Sequence, residues 1–362
     1  MKSRILIATV VVLILCATPI FVGETDAGGS PITVTDGTGN TIELDGIPNQ
    51  VIGVGVGVNA TLIGLGVADK IVVCDNYSIT NTSSELDVLD QMKEDGKIMA
   101  DGNVYSSGKE NLLGNCVYSV DKGFNLENDL VLITASKTYA DPIVSYLKDK
   151  GFKNIATWYD VKTYEDLADY IKAISMLTTG KVDGELEEML SLPESISRLL
   201  GSTEKRDAMY VTYSSSVFKV NDKGSIAGTM IEAAGGNTFT VKNSGSSTYE
   251  TNIPNLFANG AHSNAVVFVD QQIMDKQDLL SNLRNQLPDT VKVVGLKGIW
   301  NNFSIESLDG IEVMAQAMYP EIFGDLESGD TGSDDNYLYY GIAIVVALVL
   351  ISACYFFLVK KR

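Results

Sequence analysis

Histidine, cysteine, arginine and the larger aromatics bound the chemistry open to this 362-residue chain. There is one histidine, His262, in the turn-like run Asn259-Gly-Ala-His-Ser-Asn264. One imidazole rules out a multi-histidine metal site and most Ser-His and Cys-His enzymes. No G-x-S-x-G nucleophile turn occurs either. The pattern points to binding without catalysis, and no cofactor is expected. The residues placed to do that binding are aromatic: Tyr77, Tyr105, Tyr139, Trp158, Tyr159, Tyr213, Phe218 and Trp300, with Lys137, Asn301 and Asn302 among them. Most follow a predicted strand. In open α/β folds, ligands meet the loops at the carboxyl ends of strands. Aromatic faces there suit a flat or bulky apolar ligand by stacking.

One motif invites a different reading. Gly55-x-Gly57-x-x-Ala60 follows a strand and opens a helix, and Asp75 ends the next strand. That spacing imitates a dinucleotide-binding fingerprint. The helix has room for only a few residues before Gly66, and a hairpin precedes the strand. The run is therefore a glycine-rich turn where backbone approaches closely, for packing or for a ligand.

The elements that must position these residues alternate. A hairpin is predicted over 32–44, then strands at 51–54, 70–74, 130–134 and 155–158, with helices at 59–65 and 142–150. Thr163 caps a long helix in which Leu167, Tyr170, Ile171, Ile174 and Leu177 recur at helical spacing. Gly180 interrupts it, and a second helix is predicted over 183–200. Strands at 208–213, 265–270 and 291–296 then alternate with helices at 225–234, 278–285 and 307–318. This is an α/β chain with two parallel-sheet lobes about a helical connector.

Composition and the ends supply the rest. The net charge is −19, with 46 acidic against 27 basic residues, so a phosphate backbone is a poor partner and no nucleic acid is expected. Residues 5–22 are apolar behind Lys2 and Arg4, as in a secretory signal within residues 1–26. Residues 338–359 carry no charge and end in Lys360-Lys361-Arg362. They read as a transmembrane anchor (337–362) behind an acidic linker (326–336), with the basic tail in the cytoplasm. The expected location is the cell membrane, single-pass, with the body outside the cytoplasm. Cys74 and Cys116 lie in that body and are expected to form a disulfide in an oxidising compartment.

The body resembles the substrate-binding proteins of ABC importers for iron–siderophores, haem and cobalamin, the class III periplasmic binding proteins. The resemblance rests on VIGVGVGVNATLIGLGVADKIVVCD from Val51, NDLVLIT from Asn128 and the connector YEDLADYIKAISMLTTGKVDGELEEML from Tyr164. It continues with IAGTMIEAAGGNTF from Ile226 and SLDGIEVMAQAMYPEIF from Ser307. It implies an N-terminal binding lobe at 31–160, a connector at 161–205 and a C-terminal lobe at 206–325. It also implies a monomer that captures a metal chelate, a corrinoid or an iron complex, and presents it to an ABC permease. The chain departs from the family at the glutamates that dock such proteins on their transporters. Those positions fall near Thr61 and near Pro254 or Asn255, none of them acidic. A cell-surface receptor or adhesion protein that kept the fold is the rival expectation. No arginine lies on a predicted cleft loop, which favours a corrinoid or a neutral chelate over a highly anionic one.

Overall fold

A computed structural model describes residues 31–80, 86–105, 107–159, 161–239, 248–250, 252–324 and 326. The described residues open with the antiparallel pair β1 (Ile32–Thr35) and β2 (Thr41–Leu44). Asp36 fixes their turn: its Oδ1 accepts from the amides of Thr38 and Asn40, each at 2.9 Å. Its Oδ2 accepts from the Thr157 amide at 2.9 Å, which ties the hairpin to the next sheet.

That sheet is wholly parallel. β3 (Val51–Val54), β4 (Ile71–Cys74), β5 (Leu130–Thr134) and β6 (Asn154–Trp158) run in the order β4-β3-β5-β6. Nearly every residue in these strands is buried, as a parallel sheet covered on both faces requires. The covering helices are α1 (Val56–Gly64), α2 (Asn76–Thr80), α3 (Asp87–Glu94), α4 (Lys109–Asp121) and α5 (Lys137–Asp149).

Then come α6 (Tyr164–Thr179), α7 (Gly184–Leu190) and α8 (Leu192–Leu200). Thr163 and Asp166 form a reciprocal capping box at the start of α6, and Gly180 ends it at φ 76°. The single helix expected over 183–200 is two. Pro193 has no amide hydrogen to donate back into α7, so the chain starts afresh with Pro193 in a first turn.

The second sheet is mixed. It holds β7 (Asp207–Ser214), β8 (Val217–Asn221), β9 (Asn237–Thr238), β10 (Thr248–Glu250), β11 (Val266–Asp270) and β12 (Lys292–Leu296). The order is β10-β8-β7-β11-β12, with β9 beside β7. Its helices are α9 (Ile226–Ala233), α10 (Ile253–Leu256), α11 (Gln271–Met274), α12 (Gln277–Arg284), α13 (Ser307–Met318) and α14 (Pro320–Phe323). The expectation of a parallel sheet fails at one edge. Ser215 and Ser216, at φ 54° and 65°, make a two-residue turn that folds β8 back antiparallel on β7.

Strand alternation sends side chains to separate cores. Leu130 and Leu132 join one cluster, Val131 and Ile133 another. Ala208 and Tyr210 join the first of these, Met209 and Val211 a third. The first cluster therefore contains one face of each sheet, with Val58 and Leu62 of α1, Ile171 of α6 and Ile311 of α13. The two halves share a continuous apolar core. A polar pin crosses the same seam, where the Ile305 amide donates to Thr61 Oγ1 at 3.3 Å.

Two expectations are corrected. Cys74 and Cys116 are free, buried thiols and not a disulfide. Cys74 belongs to the shared cluster and Cys116 to the cluster on the opposite face of the first sheet, so the sheet separates them. Burial pushes both thiols up to about 12. The expected single-pass location at the cell membrane is also overturned, since no helix among the described residues is long and apolar enough to cross a membrane. The segments behind that expectation, 5–22 and 338–359, lie outside the described residues.

The seam gives a first prediction. A Cβ on Gly57 would stand 2.4 Å from the Phe303 carbonyl oxygen, so any side chain there pushes the halves apart. Gly57→Ala is expected to lower stability by about 1–3 kcal/mol despite the better helix propensity of alanine. Chemical denaturation measures it, and unchanged or raised stability would mean that the seam yields freely.

Candidate functional site

All four strands of the first sheet end at one edge, where a cavity of about 770 Å³ opens. Each strand delivers part of the lining: Gly55 after β3, Asp75 after β4, Ser136 after β5, and Trp158 with Tyr159 at the end of β6. The second half contributes Asn302 and Phe303. The glycine-rich turn is shaped by contact. Gly55 has φ 112°, and a Cβ there would stand 2.5 Å from the Thr134 carbonyl oxygen. Asn59 locks the turn from beneath: its Nδ2 donates to the carbonyl oxygens of Gly53 and Gly55 and to Ser78 Oγ, at 3.1, 3.2 and 2.9 Å.

Asp75 organises one wall. Its side chain is buried at 1% exposure. Oδ1 accepts from the Tyr77 amide at 2.8 Å, and Oδ2 from the Val104 amide at 3.0 Å. One carboxylate thus holds the two segments that carry Tyr77 and Tyr105. Their rings meet edge to face at 5.3 Å, and Tyr105 meets Tyr139 in the same way at 4.7 Å. These three tyrosines are 44%, 43% and 39% exposed, an open aromatic ledge. Burial, then the neighbouring Asp75, Tyr77 and Tyr139, raise the Tyr105 phenol above its ordinary value.

The opposite end is quieter electrostatically. Trp158 is buried edge to face against Tyr170 at 5.1 Å, and Gly37 leaves the room its ring needs. Tyr159 donates its hydroxyl to Asp141, a bond that pushes its phenol up to about 12. Lys137 Nζ stands 5.7 Å over the Tyr159 ring.

Of the residues expected to bind, Tyr77, Tyr105, Trp158 and Tyr159 line the cavity, and Tyr139 and Lys137 stand directly behind them. Of the second-half residues expected beside them, Asn302 lines the cavity and four others are elsewhere. Phe218 is not in a loop but in β8, where it packs on Tyr213 at 5.1 Å in the far cluster. Trp300 is buried at 5% in the shared core; a Cβ on Gly310 would be 3.0 Å from it. Asn301 shares its short 3₁₀ turn, and its buried Oδ1 has no protein partner. None of the four lines the cavity. The cavity has members that sequence reasoning missed, Phe303 and the hydroxyls of Thr134 and Ser136, although their places after strands were visible. His262, in its turn-like run, stacks on Phe239 at 4.0 Å and bonds Asp207 at 2.6 Å.

No protein-family model matches this sequence, and no curated protein matches it. Solved structures do. The iron uptake ABC transporter substrate-binding protein PiuA from Streptococcus pneumoniae superposes with a TM-score of 0.58 at 14% identity, over 80% of this chain and 98% of that one. CeuE of Helicobacter pylori, solved with Ni(II) bound, gives 0.56 at 14%, over 81% and 90%. The periplasmic vitamin B12 binding protein BtuF of Vibrio cholerae gives 0.52 at 16%, over 75% and 96%. At these identities the likeness establishes the fold.

Two predictions follow from the site's geometry. Trp300→Ala should cost about 3–5 kcal/mol, as a buried ring lost from a core, while leaving the cavity lining in place. Urea unfolding measures it, and a loss under about 1 kcal/mol would return Trp300 to the list of open side chains. Asp75 predicts a pH dependence. Burial pushes its carboxyl up to about 6, against the lowering effect of the two amide bonds. The folded state therefore favours the neutral acid. That contribution is fully present below the unfolded value of about 3.9 and is lost as pH rises through about 6. Relative to Asp75→Asn, the wild type should lose about 1–3 kcal/mol of stability between pH 4 and 7. Parallel stability profiles for the two proteins would contradict this.

Proposed function

We propose that this chain, which has the fold of the iron, haem and cobalamin type of periplasmic binding protein, is the substrate-binding component of an ABC importer and captures a metal chelate in the cleft described above. It works by binding and not by catalysis. The observation that carries the reading is the aromatic ledge of Tyr77, Tyr105 and Tyr139 at the shared carboxyl edge of β3 to β6. A tyrosine or tryptophan buries roughly 150–250 Å² against a partner, so two or three rings on one chelate would supply most of its affinity. Asn302 and Phe303 close on the ligand from the second half. The lobes are residues 31–160 and 206–325, joined by 161–205, in a chain that acts as a monomer. Their shared core supports a modest twist rather than a wide opening.

One observation favours a second reading, a receptor that keeps the fold without docking on a permease. Thr61, near one expected docking position, is fully buried and holds Ile305. Pro254 and Asn255, near the other, are exposed and carry no charge. Docking would then need other acidic groups on the surface.

The test is a titration of the intact chain with haemin, cyanocobalamin and a ferric trihydroxamate, followed by quenching of the fluorescence of Trp158 and Trp300. At least one should bind saturably with one site per chain. Tyr105→Ala should weaken that binding about tenfold or more, about 1.4 kcal/mol, with an unchanged circular dichroism spectrum. If no chelate of any class binds, the reading is wrong.

A further inference from the structure

We propose that the cleft selects for charge as well as for shape: it takes a cationic chelate and rejects polyanionic ones. This rests on the reading of the cleft as a chelate site. Among the described residues, the cavity lining contains no arginine, lysine or histidine. Its one carboxylate is Asp75, held just beneath the surface by two amide bonds. A charge so placed acts through protein as well as water, which weakens its screening.

The arginines that an anionic ligand would need lie elsewhere. Arg206 pairs with Glu321 at 3.0 Å and stands over the Tyr319 ring. Arg284 donates to the Val291 carbonyl oxygen. Arg198 lines a different cavity, of about 730 Å³, together with Lys162, Lys205 and Lys223. The remaining arginines, Arg4 and Arg362, lie outside the described residues. Lys137 stands over the ring of the lining residue Tyr159, whose hydroxyl is bonded to Asp141, so a carboxylate at that ring offsets its charge.

What the cleft offers is therefore attractive to positive charge. Tyr77 and Tyr105 line the cavity and are about half exposed, and aromatic rings draw cations through their quadrupole. Asp75 adds a full negative charge once ionised. The net charge of −19 sets a field of the same sign around the whole molecule, which concentrates cationic ligands and repels anionic ones before contact.

The test uses one scaffold at three charges: ferrioxamine B, which is cationic at its free amine, its uncharged N-acetyl derivative and its anionic N-succinyl derivative. Each is titrated into the intact chain at pH 7.5. At about 50 mM salt, affinity should fall in that order, with about tenfold between the cation and the anion. At about 500 mM salt the three should converge, because screening removes the long-range part. Asp75→Asn should narrow the low-salt spread, and the salt series on the wild type carries the test if that variant does not fold. Equal affinities at low salt, or tighter binding of the anion, would overturn the charge selection and leave the chelate reading standing. Failure of all three to bind would overturn the selection proposed here, while the haemin and cyanocobalamin titrations decide the chelate reading separately.

Discussion

Parallel pairing in the first sheet is the constraint on which the site depends. Four parallel strands bring four carboxyl ends to one edge, and helices on both faces leave that edge as the place where loops can gather. The loops are then held by a few buried polar groups. Asp36 ties the hairpin to β6, Asn59 locks the turn after β3, and Asp75 binds two loops to each other. Asp36 and Asp75 have both carboxylate oxygens bonded within the protein, as burial demands, and Asn59 makes its bonds through Nδ2. The exposed tyrosines can therefore stand in water without being loose, because the backbone beneath them is fixed.

The second constraint is the shared core. One face of each sheet drains into a single apolar cluster with α1, α6 and α13 between them. A wide hinge motion would expose that cluster, at roughly 25 cal/mol for every square ångström of apolar surface uncovered. This is also why Trp300 is a packing residue. It lies just after a strand end, but its short 3₁₀ turn directs the ring into the core against Gly310. The second half lines the cavity through the next segment, Asn302 and Phe303.

Much of this was legible in the sequence. The runs at 51–54, 130–134 and 265–270 are short, apolar and bounded, and each holds a strand, the third starting one residue later at Val266. The cap and glycine stop of α6 were equally plain. What the sequence hid was direction. Ser214-Ser-Ser216 reads as a flexible loop, but two residues in the left-handed region turn it into a hairpin and move Phe218 into a strand. Cys74 and Cys116 are spaced as a plausible pair, yet spacing says nothing about which face of a sheet each occupies. Tyr77, Tyr105 and Trp158 reached the cleft and Tyr213 and Trp300 did not, although all but Tyr105 were chosen by the same strand-end rule. The rule gives the edge, and only the local turn gives the aim of a side chain. Asp75 was visible as the residue ending a strand, but its two amide partners are brought together only by the fold.

The most direct measurement of the central claim is a crystal structure of the intact chain with a ferric chelate, with anomalous scattering recorded at the iron edge. The account predicts one iron peak in the cleft, with the chelate against the rings of Tyr77 and Tyr105 and facing Asn302 and Phe303. A peak beside Arg198 and Lys205 instead, or a chelate held away from the tyrosine ledge, would contradict it.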